Sequence, residues 1–285
     1  PKLVITSIDN SVEFSKLAKF FYKKKIFIAI QAANRGDIFG NYGNLNKNFF
    51  IPIFLCFSEF DIELFKKKKI KVKKYLIAGS LKNSFCKHKY KNFRKKKYDI
   101  CFVSKVLWKP HSGEKTFLYY NILKTLKFLA EYAKHKKVKI LIQSKAKKNE
   151  QEARLYKNIF NGIDFKVDWK KQTHHSSYKG IMESSLIMGA PSTLLREAYF
   201  FDKKILCCDS LKTINPKSHP FQGINYLKNF NYDLFEKRMD KLFSLNYKSY
   251  LKKLDNPKNF YMSDVDTIQY VKKFVKKILN NRFKN

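Results

Sequence analysis

SSLIMGAPSTLLREAYFFDKKILCCD, residues 184–209, reads as strand, turn, helix and strand in immediate succession. SSLIMGA (184–190) carries an apolar run that stops at Gly-Ala-Pro, and KILCCD (204–209) carries a second. Strands that are apolar at every position are buried on both faces, which is the mark of a parallel sheet covered by helices. Between the two runs Ser192 is placed to cap a helix, while Pro191 fixes the turn and Gly189 and Ala190 keep the loop thin. The amides of Thr193, Leu194 and Leu195 are then expected to be unpaired donors pointing outward. At about 100° per residue, Leu194, Leu195, Ala198 and Phe201 share a core-facing side, with Thr193, Arg196 and Glu197 on the other. In a parallel sheet, ligands settle where a strand's carboxyl end empties into a helix N-terminus. The expected site holds a phosphate on the Ser192 and Thr193 hydroxyls, uses Arg196 as a permanent cation, and leaves Glu197 to accept from ribose hydroxyls. An ordinary capped helix with exposed charges has the same local sequence, so both readings stay open.

The alternation extends over most of the chain. LVIT (3–6), a helix opened by the capping-box-like Asn10-Ser11-Val12-Glu13, and IFIAIQ (26–31) form a first β-α-β unit. IPIFLCF (51–57) and KKYLIAG (73–79) add two strands, with a short helix around residues 59–67. Residues 81–97 are polar and basic and read as a linker. A second alternation follows: DICFVS (99–104), a helix over 114–135, VKILIQS (138–144), a helix over 150–160, and FKVDW (165–169). The expected class is α/β with two Rossmann-like parallel-sheet domains, residues 1–92 and 93–262, and an amphipathic helix over 263–285. In that helix Ser263 is the expected cap, and Val265, Ile268, Val271, Phe274, Val275 and Ile278 recur at helical spacing. It either packs on its own domain, or bridges the two, or touches a membrane. The first domain offers about four strands and the sequence does not start with Met, so its sheet is expected to be incomplete, with an edge that a further N-terminal segment would cover.

Composition narrows the class. With 44% hydrophobic and 16% aromatic residues, the chain is that of a packed globular protein rather than a disordered one. The net charge of +37 comes almost wholly from lysine, 54 against six arginines, alongside abundant Asn, Ile, Phe and Tyr, a residue set that AT-rich codons favour. Such a surface attracts phosphates and anionic lipid headgroups. Nucleic-acid binding ranks lower, because the lysines are dispersed in short runs and arginine, the residue that reads guanine, is scarce. Five cysteines without CxxC spacing point to reduced, buried thiols, and the absence of a signal pattern or of a spanning apolar run points to the cytoplasm. No metal is expected: His174-His175 has no carboxylate at ligand spacing and reads as loop. No cofactor is implied either.

Four stretches, in order, resemble two-domain glycosyltransferases of the GT-B type that build bacterial surface carbohydrate and capsule, and the related CDP-glycerol glycerophosphotransferases. IAIQAANRGDIFG (28–40) is similar to the strand and acceptor loop, AGSLKNSF (78–85) to a Gly-x-x-(Arg/Lys)-Asn segment, and DICFVSK (99–105) to the first donor-domain strand. The fourth is the donor motif, a hydrophobic strand, Ser-Ser or Ser-Thr, and an acid, which is Ser192, Thr193 and Glu197 here. The resemblance implies transfer of a sugar or polyol phosphate from a nucleotide-activated donor to a surface polysaccharide or lipid-linked acceptor, without a metal, at the inner face of the cytoplasmic membrane. Ser104 and Lys105 are expected to reach a donor phosphate. Gln31, Asn34, Arg35, Ser80, Lys82 and Asn83 are expected to line the acceptor side. Where the CDP-glycerol enzymes carry His-Gly with His as base, this sequence has Gln31-Ala32, so that base does not carry over. Asp37 is the carboxylate left in the loop for the role, or a loop-capping acid beside Gly36. A nucleotide-sugar epimerase on the same scaffold ranks second, since PKSHPFQG (216–223) stands where an acidic-Arg-Pro-Glu segment is expected. Removing the Glu197 carboxylate is expected to weaken nucleotide binding with little effect on the ligand-free melting point.

Overall fold

The computed structural model describes residues 1–33, 35, 48–90, 96–104, 114–169, 176–210, 221–255 and 266–283. The chain divides into two compact units, Pro1–His88 with Lys258–Asn285, and Lys89–Pro257.

Among the described residues the first unit is built on a four-stranded parallel sheet in the order β1 (Leu3–Thr6), β2 (Ile26–Ile30), β3 (Phe50–Cys56), β4 (Lys71–Ile77). Two of the steps are helical crossovers: α1 (Val12–Phe21), capped by Ser11 Oγ on Phe14 N, joins β1 to β2, and α2 (Glu59–Lys67) joins β3 to β4. The strand IFIAI is buried at every position because its alternate side chains serve two layers. Phe27 and Ala29 meet Phe14 and Ala18 of α1 and Phe60, Leu64 and Phe65 of α2, while Ile26, Ile28 and Ile30 face the other way. At the β4 edge Lys71, Lys73 and Lys74 are exposed, which discourages pairing with another chain. The polar, basic stretch read as a linker opens with a helix, α3 (Leu81–Lys89), whose Asn83, Ser84 and Cys86 are buried. Its high polarity hid an amphipathic face only three residues wide.

Among the described residues the second unit carries six parallel strands in the order β10-β9-β8-β5-β6-β7. These are β5 (Tyr98–Ser104), β6 (Ile140–Ser144), β7 (Phe165–Asp168), β8 (Ser184–Gly189), β9 (Lys204–Asp209) and β10 (Tyr226–Lys228). The last escaped the sequence reading, being three residues long. The connecting helices are α4 (Glu114–Lys136), α5 (Glu150–Ile159), α6 (Ser176–Met182) and α7 (Thr193–Glu197), followed after β10 by α8 (Tyr232–Ser244) and α9 (Tyr247–Leu251). From β5 the chain winds outward through β6 and β7, then returns to β8 on the other side and continues through β9 and β10. The order therefore reverses between β5 and β8, which makes their carboxyl ends the topological switch point. Asn121 of α4 locks the end of β9, donating to Cys208 O (3.1 Å) and accepting from Ser210 N (2.6 Å) and Ser210 Oγ (2.8 Å). All five cysteines are buried thiols outside any disulfide.

The chain ends in α10 (Thr267–Phe283), which returns to the first sheet. Tyr270, Val271, Phe274, Val275, Ile278 and Leu279 cover Ile26, Ile28, Ile30 and Leu55, the face opposite α1, and Lys272, Lys273, Lys276 and Lys277 point to solvent. Val265 and the expected cap Ser263 lie outside the described residues; the capping contacts come from Asp266, which accepts from Ile268 N (3.1 Å) and Gln269 N (3.2 Å). The same carboxylate accepts from Ser84 Oγ (2.7 Å) and pairs with His88 Nε2 (2.9 Å), tying α10 to α3. These hydrogen bonds, that of Ser84 first and that of His88 next, hold its pKa down at about 2. A carboxylate whose folded pKa lies below its unfolded value of about 3.9 stabilises the fold above that value and loses the contribution as pH falls through the folded one. The melting-point gap between wild type and Asp266→Asn is thus expected to be present above about pH 4 and to close between about pH 4 and about pH 2. A gap that persists at the acid end would remove Asp266 as the tie.

Candidate functional site

Each unit is described by itself. In the second, the candidate donor site lies at the switch point. Gly189, the last residue of β8, pairs with Val103 of β5, and a Cβ placed on it would stand 2.7 Å from the Val103 carbonyl oxygen. Its φ of +154° adds a second reason for glycine. The two central strands can therefore close up at the point where the loop to α7 leaves.

Ser192 is the helix cap, as expected: its Oγ accepts from Leu195 N at 3.0 Å, and its carbonyl accepts from Arg196 N at 3.2 Å. The Leu195 amide, expected to point outward unpaired, is thus consumed by the cap. Ser192 is 4% exposed, yet a hydroxyl that accepts one bond keeps its own proton to donate. Thr193 is half-buried. The helix lasts five residues and passes into a 3₁₀ turn, Ala198–Phe201, so little macrodipole accumulates at its tip.

The assignment of Arg196 and Glu197 to an open polar side needs correction. Arg196 is fully buried and Glu197 is 2% exposed. Helical periodicity sorts residues into two sides only when one side meets water; here β8 and β9 flank α7, and α6 packs on the 3₁₀ turn that continues it. Arg196 is consequently an internal cation and not a solvent-facing one. Glu197 accepts from the Tyr178 hydroxyl of α6 at 2.6 Å, with both groups buried. Tyr178 is the site residue that sequence reasoning missed, and nothing in SSYKG signals it, since α6 is short and its neighbour on α7 lies nineteen positions away.

Ser104, the end of β5, also departs from expectation. It is fully buried, 2.7 Å from the Tyr156 hydroxyl. Tyr156 in turn donates to Glu152 Oε1 at 2.5 Å, and Glu152 accepts from Ser144 Oγ (2.9 Å) and Asn149 Nδ2 (3.2 Å). Burial, and then the Glu152 carboxylate, drive the Tyr156 pKa far up. Ser104 is part of a buried polar cluster that fastens α5 to the ends of β5 and β6. Lys105 lies outside the described residues.

In the first unit, Gln31 and Arg35 hold the loop after β2 together. Gln31, 3% exposed, donates through Nε2 to Asp61 Oδ1 (2.7 Å) and Ala33 O (3.0 Å) and accepts from Phe57 N (2.9 Å). Asp61 is fixed by Ser58 Oγ at 2.9 Å. Arg35 forms a bidentate pair with the fully buried Asp9, Nη2 to Oδ1 at 2.6 Å and Nε to Oδ2 at 2.9 Å, and the Ala32 amide donates to the same carboxylate. Both were expected to meet the acceptor; both instead spend their polar groups on the scaffold. Ser80 accepts from Asn83 N at 3.3 Å at the start of α3; Ser80 and Asn83 are buried there, and Lys82 is exposed. Asn34 and Asp37 lie outside the described residues, as do His174 and His175. Among the described residues no group of three or more His, Cys, Asp or Glu side chains is placed to hold a metal ion, and no helix is long and apolar enough to cross a membrane.

Two parallel-sheet α/β units, the larger reversing its strand order beside a Ser-capped helix, define the GT-B class of fold, and solved structures agree. UDP-GlcNAc 2-epimerase from Neisseria meningitidis, bound to UDP-GlcNAc, is 14% identical with TM-score 0.61 over 97% of this chain and 76% of its own. S. aureus MnaA in a co-structure with UDP gives 13%, 0.64, 98% and 76%, and the wall teichoic acid polymerase TagF (H444N with CDPG) gives 11%, 0.58, 100% and 73%. At such identities the likeness is one of fold. No curated protein matches the sequence. A family model does: residues 28–219 match the family described as "putative O-antigen biosynthesis protein", and the chain belongs to that family.

Proposed function

We propose that the protein is a transferase that moves a glycosyl or polyol-phosphate group from a nucleotide-activated donor onto a surface-polysaccharide or lipid-linked acceptor at the inner face of the cytoplasmic membrane. The observation that carries this reading is the family match over residues 28–219 in a chain that folds as two GT-B-like units. The donor's diphosphate is assigned to the Ser192 and Thr193 hydroxyls, at the switch point where open α/β sheets take their ligands. The ribose is assigned to Glu197, and Arg196 contributes through its position inside α7. Hydrogen-bond donors of this kind stabilise a leaving phosphate as it gains charge, so the transfer is read as metal-independent. Asp37 is the proposed base: it takes the proton of the acceptor hydroxyl as that oxygen attacks the activated carbon or phosphorus and the nucleotide departs with the bonding pair.

Thermal melting against CMP, CDP, UDP and GDP tests the donor site. One nucleotide at about 100 times its dissociation constant is expected to add about 2.7 kcal/mol to the second unit. No response to any of them would end the transferase reading. With the matching nucleotide sugar, release of nucleotide only when acceptor is added marks transfer, whereas an inverted sugar formed without acceptor marks an epimerase.

A further inference from the structure

The sharpest unexplained feature of the described surface lies on α1. Phe20 is 80% exposed, Leu17 49% and Phe21 43%, three large apolar side chains at i, i+3 and i+4 on one short helix. At about 100° per residue they span about 100°, continuing the buried Phe14–Ala18 face round into solvent. Single exposed apolar residues are ordinary; a contiguous group on one helix is not. Its border is basic. Lys16, Lys19, Lys23 and Lys24 are exposed around it, Lys25 Nζ stands 5.9 Å from the Phe21 ring, and Lys73 Nζ stands 4.1 Å from the Tyr22 ring. The acid of α1, Glu13, sits in the first turn, bonded to Ser11. From residue 14 to the end of the helix no acid interrupts the patch.

We infer that the C-terminal half of α1 is a docking surface for an anionic lipid bilayer, with Phe20, Leu17 and Phe21 entering the headgroup boundary and the flanking lysines meeting lipid phosphates. Aromatic and aliphatic side chains rimmed by lysine are what an interfacial helix requires, because the apolar part supplies burial and the ammonium groups stay at headgroup level. The placement suits the fold. α1 runs antiparallel to the strands it connects, so its last turn lies by their amino ends, and the carboxyl edge bearing Gln31 stays clear. The inference stands on the surface chemistry of the first unit alone, independent of any nucleotide bound by the second.

Co-sedimentation of the full chain with vesicles tests it. The protein is expected to partition onto phosphatidylglycerol-rich vesicles and not onto pure phosphatidylcholine. Phe20→Glu, at a site too exposed to upset folding, is expected to lower that partition about tenfold or more, and Lys16→Glu with Lys19→Glu to lower it about fivefold per lysine. The control is Lys272→Glu with Lys273→Glu, which changes net charge equally on the opposite face of the same sheet and is expected to have an effect of less than about threefold. Equal loss in the control would show that dispersed charge alone binds lipid. Unchanged partition of Phe20→Glu, or a dimer seen by light scattering that Phe20→Glu abolishes without any lipid binding, would overturn the assignment. Nucleotide-induced melting shifts serve as the separate readout: the α1 variants should leave them as in wild type.

Discussion

Alanine at position 189 is expected to cost the second unit about 2–4 kcal/mol of stability. The new Cβ would lie 2.7 Å from Val103 O and 3.5 Å from Val103 Cβ, and the closer contact is backbone, which has no rotamer to yield. Gly189 and Val103 are partners in the central pair of the sheet, so relief means spreading β5 from β8. Left-handed backbone at 189 adds strain for any L side chain. Urea denaturation followed by a probe in the second unit reads the effect. Because the loop to Ser192 leaves from this residue, the nucleotide response should fall with it. A loss below about 0.5 kcal/mol, the range of ordinary surface substitutions, would mean that the close approach is not a constraint.

The second large effect is expected at Glu197, where two variants separate binding from folding. Glu197→Gln keeps an oxygen that can accept from Tyr178 but removes the charge; the loss of a charge-assisted hydrogen bond to ribose, about 1.5–3 kcal/mol, is a tenfold or greater rise in nucleotide dissociation constant. Glu197→Ala does more. It removes the acceptor of the buried 2.6 Å hydrogen bond from the Tyr178 hydroxyl, which costs the ligand-free protein about 1–3 kcal/mol. The expectation from sequence that the ligand-free melting point would hardly move is thereby revised, because the carboxylate already has a partner inside the fold. Tyr178→Phe completes the set: if it restores the stability of the alanine variant without restoring nucleotide binding, the two roles of the carboxylate are distinct. Should Glu197→Gln bind nucleotide as wild type does, Glu197 leaves the proposed site.

Much of this molecule follows from local pattern. Apolar runs at 26–31, 51–57, 99–104, 138–144 and 184–190 read as strands buried on both faces, and their alternation with helices pointed to two parallel sheets. Ser192 was legible as a cap because its oxygen and the amide it accepts from are three residues apart. The apolar stripe from Ile268 to Ile278 announced a helix with one sticky side.

What sequence left open depends on contacts far apart in the chain. Arg196, Glu197 and Ser104 read as open to solvent because they lie at or after strand ends, and the fold buried all three, two of them against tyrosines nineteen and fifty-two positions away. Gln31 and Arg35 looked like acceptor contacts until Asp61 and Asp9 claimed them. The stripe of α10 does not name the surface it covers; the sheet's uncovered face, with Ile26, Ile28 and Ile30, does. Sequence by itself determined the elements and their caps, since periodicity and capping act within one or two helical turns. Only the tertiary structure decided which polar groups are spent in holding those elements together and which remain for a ligand, because a hydrogen bond between distant residues has no period to betray it.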